Sequence, residues 1–392
     1  EIMPPQMIPL KPKSSLGAAL RRTINEGDRN NYEWIQNEQI KWISSKKKEL
    51  INLGFQTEDF SDAMMLPVTG KPSKSNNKLM EIGKMVTDLM YNMILFKFKE
   101  LGVEPIGAGE LDGPFADLGP VDLIQLTSGI HTVEALEMVR SHLLSAMGPM
   151  LPKSNEGLYT SAAKLPKLQL SQVYMTSVMF GYFLRRVDKS YQVAKSMKIL
   201  DEPEFDEKSA VTRLEGYLRR RKMPLTDTES LSFLDSEYET ESYDESEAED
   251  GKRTISIQDY IQRFDQKTMI QSASLMSQEA AVLLQEYQYA HFGNIRDLQK
   301  EMAQAIGPME SPQPSQDQIV KKITEAVEND IVQTIVITFA DQRRLILEAV
   351  AFGSFLREVE DHILKKADED ILTPLPQLPL DADNIRGMLP GI

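Results

Sequence analysis

Cysteine is absent from this chain of 392 residues. That removes a disulfide framework, a thiolate-held metal and a cysteine nucleophile together, and it agrees with a reducing compartment. Histidine is scarce: His131, His142, His291 and His362 are scattered, and none belongs to an H-E-x-x-H pair. No G-x-S-x-G elbow and no P-loop occurs. Long hydrophobic runs are missing too. The strongest, Val173 to Leu184, is about a dozen residues interrupted by Thr176, Ser177 and Gly181, whereas a membrane-crossing helix needs ~20. It reads as a buried core helix. Basic residues are outnumbered, 44 against 59 acidic, for a formal charge of −15. Such a surface repels phosphate backbones and anionic membranes, so a nucleic-acid role would need a local basic face.

What the chain does have is repetition. Val178, Phe180, Gly181, Phe183, Leu184, Arg185 and Val187 recur as Val350, Phe352, Gly353, Phe355, Leu356, Arg357 and Val359, always 172 positions later. An earlier block, Thr132, Glu134, Ala135, Val139 and Gly148, recurs as Ser277, Glu279, Ala280, Leu284 and Gly293 at an offset of 145. Self-similarity at fixed spacing is the mark of a repeated structural unit. The change of offset places 27 extra residues in the second unit, around the Pro/Ser/Gln loop from Gly307 to Gln318 and the helical stripe Ile319, Ile323, Val327.

The expected fold is mainly α: a tandem duplication of a helical-bundle unit, with one short β pairing, joined by a disordered acidic linker. An N-terminal extension with one helix (1–75), roughly Asn31 to Asn52, precedes helical unit A (76–200). Lys46, Lys47 and Lys48 interrupt the apolar face of that helix, which reads as lying across unit A. A basic helix end and acidic tether follow (201–252), then helical unit B (253–368) and a Pro-rich tail (369–392). Unit A opens on Ile82, Met85, Val86, Leu89, Met90, Met93 and Ile94, the i, i+3, i+4, i+7 stripe of an amphipathic helix. Thr132 and Ser277 are helix starts, while Gly148 and Gly293 are stops. The β-branched run Ile331, Val332, Ile335, Val336, Ile337 reads as a short strand, and the last helix as running from about Asp341 to Lys366.

The tether, Asp227 to Asp250, holds eleven acidic residues and no Lys or Arg, so burial cannot offset its chain entropy. Before it lies a basic cluster, Arg213, Arg219, Arg220, Arg221 and Lys222, a candidate phosphate or RNA contact. Neutralisation by the adjacent acidic tether is the stronger reading, since neighbouring opposite charges outcompete a distant polyanion. Ser232, Ser236, Ser242 and Ser246 each have an acidic residue three positions on, the spacing acid-directed kinases favour, and each phosphate would add about −1.5 to −2 charges. Gly107-Ala108-Gly109-Glu110-Leu111-Asp112-Gly113 has the look of a phosphate loop. Its last glycine is one place late for G-x-G-x-x-G, however, and Glu110 and Asp112 would repel a pyrophosphate.

The repeated motif is read structurally. Gly181 and Gly353 predict a close helix–helix approach with Phe180, Phe183, Phe352 and Phe355 packed around it, because a mid-helix glycine otherwise costs about 1 kcal/mol. Arg185 and Arg357, one turn on from the glycines, are read as pairing with a carboxylate or capping carbonyls, with an anion as the alternative. His142 and His291 lie near the ends of matching helices, where a cation suits the dipole. The Met-rich stripes are read as adaptable core. No catalytic, cofactor-binding or metal-ligating residue is assigned.

The stretch Lys164–Leu168, Gln172–Tyr174, Ser177–Asp188 and Met197–Leu200 resembles the plant chloroplast proteins described as UV-B-induced, which carry a domain of unknown function, number 760, also found singly in cyanobacteria. The resemblance covers about 120–200, and unit B looks like a more divergent copy. It implies a transit peptide and a plastid location, which a first residue of Glu1 would fit as a processed start. It implies no activity, cofactor or catalytic residue. The expectation is therefore a soluble, non-enzymatic chloroplast protein of the stroma, an adaptor or stress-associated subunit that docks protein partners. The rival is a small-molecule or tetrapyrrole-binding protein holding its ligand between Met/Phe-rich helices.

Overall fold

A computed structural model describes residues 10–55, 76–107, 110–111, 115–116, 118–148, 161–197, 200, 255–307, 316–366 and 371–375. The acidic tether, the Arg219 cluster, the four candidate serines and Ala108, Gly109, Asp112 and Gly113 of the glycine-rich loop lie outside them. Among the described residues there are twelve helices and one two-stranded sheet. In chain order these are α1 (Ser15–Glu26), α2 (Arg29–Asn52), α3 (Asn76–Glu100), α4 (Leu123–Thr127), α5 (Val133–Met147), β1 (Ala162–Pro166) and α6 (Lys167–Ser196). Then come α7 (Ile257–Gln262), α8 (Gln266–Ala273), α9 (Gln278–Phe292), α10 (Ile295–Ile306), α11 (Gln316–Glu328), β2 (Thr334–Thr338) and α12 (Phe339–Lys366). They fall into two compact bodies. The first takes Glu1–Lys11, Met93–Ser274 and Gln285–Val359, and the second takes Pro12–Asn92, Leu275–Leu284 and Glu360–Ile392.

In the first body, β1 and β2 pair antiparallel with Ala162 opposite Thr338, Lys164 opposite Val336 and Pro166 opposite Thr334. The register is self-reciprocal. Ala162 and Thr334 are 172 positions apart, as are Pro166 and Thr338, so each end of one strand faces the counterpart of its own far end. The helices that follow these strands, α6 and α12, cross at the two repeated glycines. A Cβ on Gly181 would stand 2.0 Å from the Val350 carbonyl oxygen, and one on Gly353 would stand 1.8 Å from the Val178 carbonyl oxygen. Val178 and Val350 are again 172 apart. Neither position has room for a side chain, because the obstacle is backbone that cannot rotate away. The Ser354 hydroxyl closes the crossing by donating to the Gly181 carbonyl at 3.0 Å.

The aromatic neighbours of the glycines pack differently from the expectation. Phe352 is buried and stacks on Tyr287 with ring centroids 4.3 Å apart, and Phe355 meets Phe98 edge-on at 5.0 Å. Phe180 is only half-buried and lies flat on His142 at 4.1 Å, and Phe183 is half-buried as well. Consecutive helical positions point about 100° apart, so flanking a glycine in sequence does not put a ring into its gap. Backbone fills that gap.

The described residues between α3 and α4 lie in no helix or strand, so their backbone groups must find partners elsewhere. One face of α12 supplies them. Asp341 accepts from the Leu118 N–H, Arg344 donates to the Gly119 and Glu104 carbonyls, and Glu348 accepts from the Ile106 N–H at 2.8 Å. Phe115 adds a parallel bridge to Val336 of β2.

The start of α5 in this body is capped by Thr132. Its hydroxyl accepts from the Ala135 N–H and donates to the buried Asp188 of α6 at 2.7 Å. In the second body Ser277 does the same at the start of α9, accepting from the Ala280 N–H and donating to the buried Glu360 of α12. Thr132 and Ser277 are counterparts at the 145-residue offset, and Asp188 and Glu360 at the 172-residue offset. One sequence device therefore recurs as one structural device: a hydroxyl cap whose spare proton satisfies a buried carboxylate.

The second body is built on α1, α2 and the first two-thirds of α3. α1 begins at Ser14, and the Asp88 carboxylate of α3 receives the Lys13 N–H, the Ser14 N–H and the Ser14 hydroxyl. α1 ends on Gly27 with φ 78°, a left-handed cap that glycine adopts without strain. Leu20, Ile24, Ile40, Ile43, Leu79, Val86 and Leu89 form the core. Residues 10–55 thus hold two helices where the apolar pattern announced one, because α1 is short and its stripe is interrupted by Arg21 and Arg22.

Candidate functional site

The C-terminal half of α6 carries the densest polar cluster of the first body. Arg185 donates to the Ile130 carbonyl at 2.9 Å, forms an ion pair with Glu358 of α12 and lies 3.9 Å from Asp188. Glu358 also accepts from Lys97 of α3 at 2.5 Å. Burial alone would push the Glu358 carboxyl up, but Arg185 and Lys97 outweigh it and hold the group below its ordinary value. Arg185 therefore pairs with a carboxylate and caps a carbonyl at once. Arg357, its counterpart, is buried and lies 5.5 Å over the Tyr182 ring, with Nη1 3.2 Å from the Tyr182 hydroxyl. The two arginines hold equivalent sequence positions in different company. Leu184 and Leu356 are both fully buried.

His131 sits beside this cluster, 5% exposed, with neither ring nitrogen hydrogen-bonded. Burial, with Arg185 adding repulsion, lowers its pKa to about 4, so at neutral pH it is an uncharged imidazole. His142 is lowered to about 4 as well, by burial. The helix-dipole role expected for His142 needs a cation, and the ring is neutral. It serves instead as a flat packing partner for Phe180 and bonds to the Ser177 hydroxyl at 2.9 Å. His291 is buried among Tyr174, Tyr287 and Phe292.

A serine in contact with a histidine invites a catalytic reading, and sequence spacing did not reveal this pair. Ser177 and His142 come together because α5 packs on α6. The geometry argues against nucleophilic use. Ser177 is fully buried, and its single hydroxyl proton is taken by the Val173 carbonyl at 2.8 Å, which leaves His142 as donor in this bond. A base poised to accept that proton has the opposite polarity and normally an orienting carboxylate behind it. Among the described residues no group of three or more His, Cys, Asp or Glu could hold a metal ion.

Glu348 is a strongly perturbed carboxyl. It is fully buried, and desolvation raises its pKa to about 8 against the opposing pull of the Ile106 N–H and Arg344. It serves the loop that α12 pins, accepting from the Ile106 N–H. The α12 side chains hold the backbone on either side of the Gly107 loop, at Glu104, Ile106, Leu118 and Gly119, and Phe115, which bridges to Val336, is exposed.

Both tryptophans of the chain stand on α2 with large exposed surfaces, Trp34 at 64% and Trp42 at 43%. They are eight residues apart, so Trp34, Glu38 and Trp42 follow one another along nearly one face. Beside Trp34 runs a groove of about 400 Å³ lined by Trp34, Asn37, Glu38, Ile40, Lys41 and Lys366 of α12. Lys41 is paired to Glu38 at 2.8 Å on this surface. Indole rings in water are the commonest anchors of protein–protein contacts, because each removes a large apolar area on binding at little entropy cost. Sequence periodicity did place a helix here, from about Asn31 to Asn52, but it did not separate its exposed tryptophans from its core positions.

Residues 72–197 match the family model described as a protein of unknown function, DUF760. That stretch is similar to the DUF760 domain. It contains α3, α4, α5, β1 and α6, and so supplies Lys97, His131, Thr132, Arg185 and Asp188 of the polar cluster but not Glu358. A chloroplastic UV-B-induced protein of Arabidopsis thaliana is 29% identical over 285 residues, which are 71% of this chain and 59% of the relative. The chain thus spans about three-fifths of that relative's length. No solved structure matches it. No helix among the described residues is long and apolar enough to cross a membrane.

Proposed function

We propose that this is a non-enzymatic plastid protein of the stroma, a stress-associated adaptor built from two copies of one helical unit, which docks a partner protein through the tryptophan face of α2. The plastid location draws on the name of the Arabidopsis relative. The two-copy reading is supported by the reciprocal strand register, the paired glycine crossing and the recurring hydroxyl cap. Each relates residues at the sequence offsets of the repeat, and chance packing has no reason to respect those offsets. In this reading the repeated residues from Phe180 to Arg185 and from Phe352 to Arg357 are structural, and no residue is catalytic.

The observation that carries the docking role is the exposure of Trp34 and Trp42 beside a groove. Burial of both rings would contribute several kcal/mol to association at ~25 cal/mol per Å². The pigment reading fares less well, since the aromatic walls it needs are in contact with one another. Tyr287 stacks on Phe352, and Tyr174 lies 6.1 Å from Tyr287.

The test is a pulldown from plastid extract with the full chain and with a Trp34→Ala/Trp42→Ala variant whose folding is checked by circular dichroism. A stoichiometric partner recovered by the first and lost by the second is expected. Recovery of nothing stoichiometric by the unaltered chain, or equal recovery by both, refutes the adaptor role. An absorbance spectrum of protein from its native source showing a visible chromophore would favour the ligand-binding reading instead.

A further inference from the structure

In the second body, Ile371–Leu375 is held in the manner of a bound peptide. The Gln278 N–H donates to the Thr373 carbonyl at 2.8 Å and the Leu375 N–H to the Met276 carbonyl at 3.2 Å, with Ser277 and Pro374 facing each other in an antiparallel bridge. In that pattern the residue opposite Ser277 is asked for no N–H, and it is a proline, the one residue that has none.

Two buried charges converge on the same five residues. Glu279, 2% exposed, accepts the Thr373 N–H and the Thr373 hydroxyl, each at 2.9 Å. Lys47 of α2, 5% exposed, donates to the Ile371 carbonyl at 2.8 Å and to the Thr373 hydroxyl at 3.3 Å. Ile371 and Leu372 are 1% and 4% exposed. Burying an ammonium and a carboxylate is costly unless their hydrogen-bonding capacity is used. Here much of it is directed at the main chain and hydroxyl of one short extended segment. Strand pairing for affinity, with side-chain contacts for selectivity, is how sheet edges recognise extended peptides.

We propose that the cleft between α2 and the start of α9 is a docking groove for an extended segment of pattern apolar–apolar–Thr–Pro–apolar, filled in cis by Ile371–Leu375 and open in trans to a partner segment of the same pattern. The strap is then an intramolecular competitor. At an effective concentration of the order of millimolar, it keeps a partner segment out until it leaves. This rests on the adaptor reading only for there being a partner in the plastid. A failed pulldown would remove that reading and leave the groove to be judged by peptide binding.

The full chain carrying Ile371→Ser, Leu372→Ser and Thr373→Gly would be titrated against a fluorescein-labelled peptide of residues 369–378, with anisotropy as the readout. The expected result is saturable binding at least about 100-fold tighter than to the unaltered chain. It should weaken at least about tenfold when Lys47→Met is added or when valine replaces the peptide's threonine. Hydrogen exchange on the unaltered chain gives a reading that does not depend on the variant folding. The Thr373 and Leu375 amides should exchange faster than those of Ile40 and Ile43. Three results overturn the proposal: a folded strap variant that does not bind, binding indifferent to Lys47→Met, or strap amides that exchange no faster than Ile40 and Ile43.

Discussion

Replacing Gly353 by alanine isolates one physical question, whether close backbone approach or helix propensity governs the centre of α12. In an isolated helix this change is stabilising by about 1 kcal/mol. Here the new Cβ would lie 1.8 Å from the Val178 carbonyl oxygen and 2.8 Å from the Tyr182 nitrogen. A carbon and an oxygen come to rest at about 3.3 Å or more, so α6 and α12 must part locally by roughly 1.5 Å. A gap of even half that forfeits a large share of the dispersion contacts along the seam, and it loosens the bond from Ser354 to the Gly181 carbonyl. Overpacking costs about 1–3 kcal/mol and sometimes more. An unyielding backbone obstacle belongs at the upper end of that range, so after the propensity gain is subtracted the net loss is about 2 kcal/mol. For a body of this size that lowers the thermal midpoint by about 4–8 °C. Gly181→Ala meets the Val350 carbonyl at 2.0 Å and should cost about the same, and leucine at either site more. The double variant should cost less than the two together, since the separation forced by one Cβ relieves the other. The assay is thermal and urea unfolding followed by circular dichroism. Midpoints that stay put or rise in both single variants would refute the close-approach reading, and a strictly additive double variant would deny that the two glycines share one crossing.

Two further predictions concern pH. Glu348 has a folded-state pKa raised to about 8 from 4.5, so its favourable contribution is complete below about pH 4.5 and is lost as pH climbs towards 8. At 1.36 kcal/mol per unit this is of the order of a few kcal/mol. Glu348→Gln keeps an acceptor for the Ile106 N–H and removes the titration, so its thermal midpoint should fall less between pH 5 and 8 than that of the unaltered chain; equal slopes would refute the assignment. His131 is shifted the other way, to about 4 from 6.5, so its contribution is complete above pH 6.5 and is lost as pH falls towards 4. His131→Leu gives up no hydrogen bond to the ring and should unfold less readily in that window. A variant as acid-sensitive as the unaltered chain would count against a buried neutral imidazole.

Local rules settled much of this chain from the residues alone. The stripe from Ile82 to Ile94 lies within α3, Thr132 and Ser277 cap helices, and Gly148 and Gly293 end them with positive φ, because periodicity and cap chemistry act over a few neighbours. β2 was legible in its β-branched run. Its partner β1, reading Ala-Ala-Lys-Leu-Pro, carries no strand signal of its own. Only the 172-residue offset, which maps Thr334–Thr338 onto Ala162–Pro166, could have found it. The tertiary structure alone decided that Gly181 and Gly353 face backbone and not rings, that His142 is neutral, that Lys47 turns inward to meet a strap, and that both tryptophans stay in water. Each of these depends on which distant segment arrives at a given face. A sequence specifies its own periodicity residue by residue, but the dielectric, the partners and the exposure of a side chain are set by chain that lies tens or hundreds of positions away.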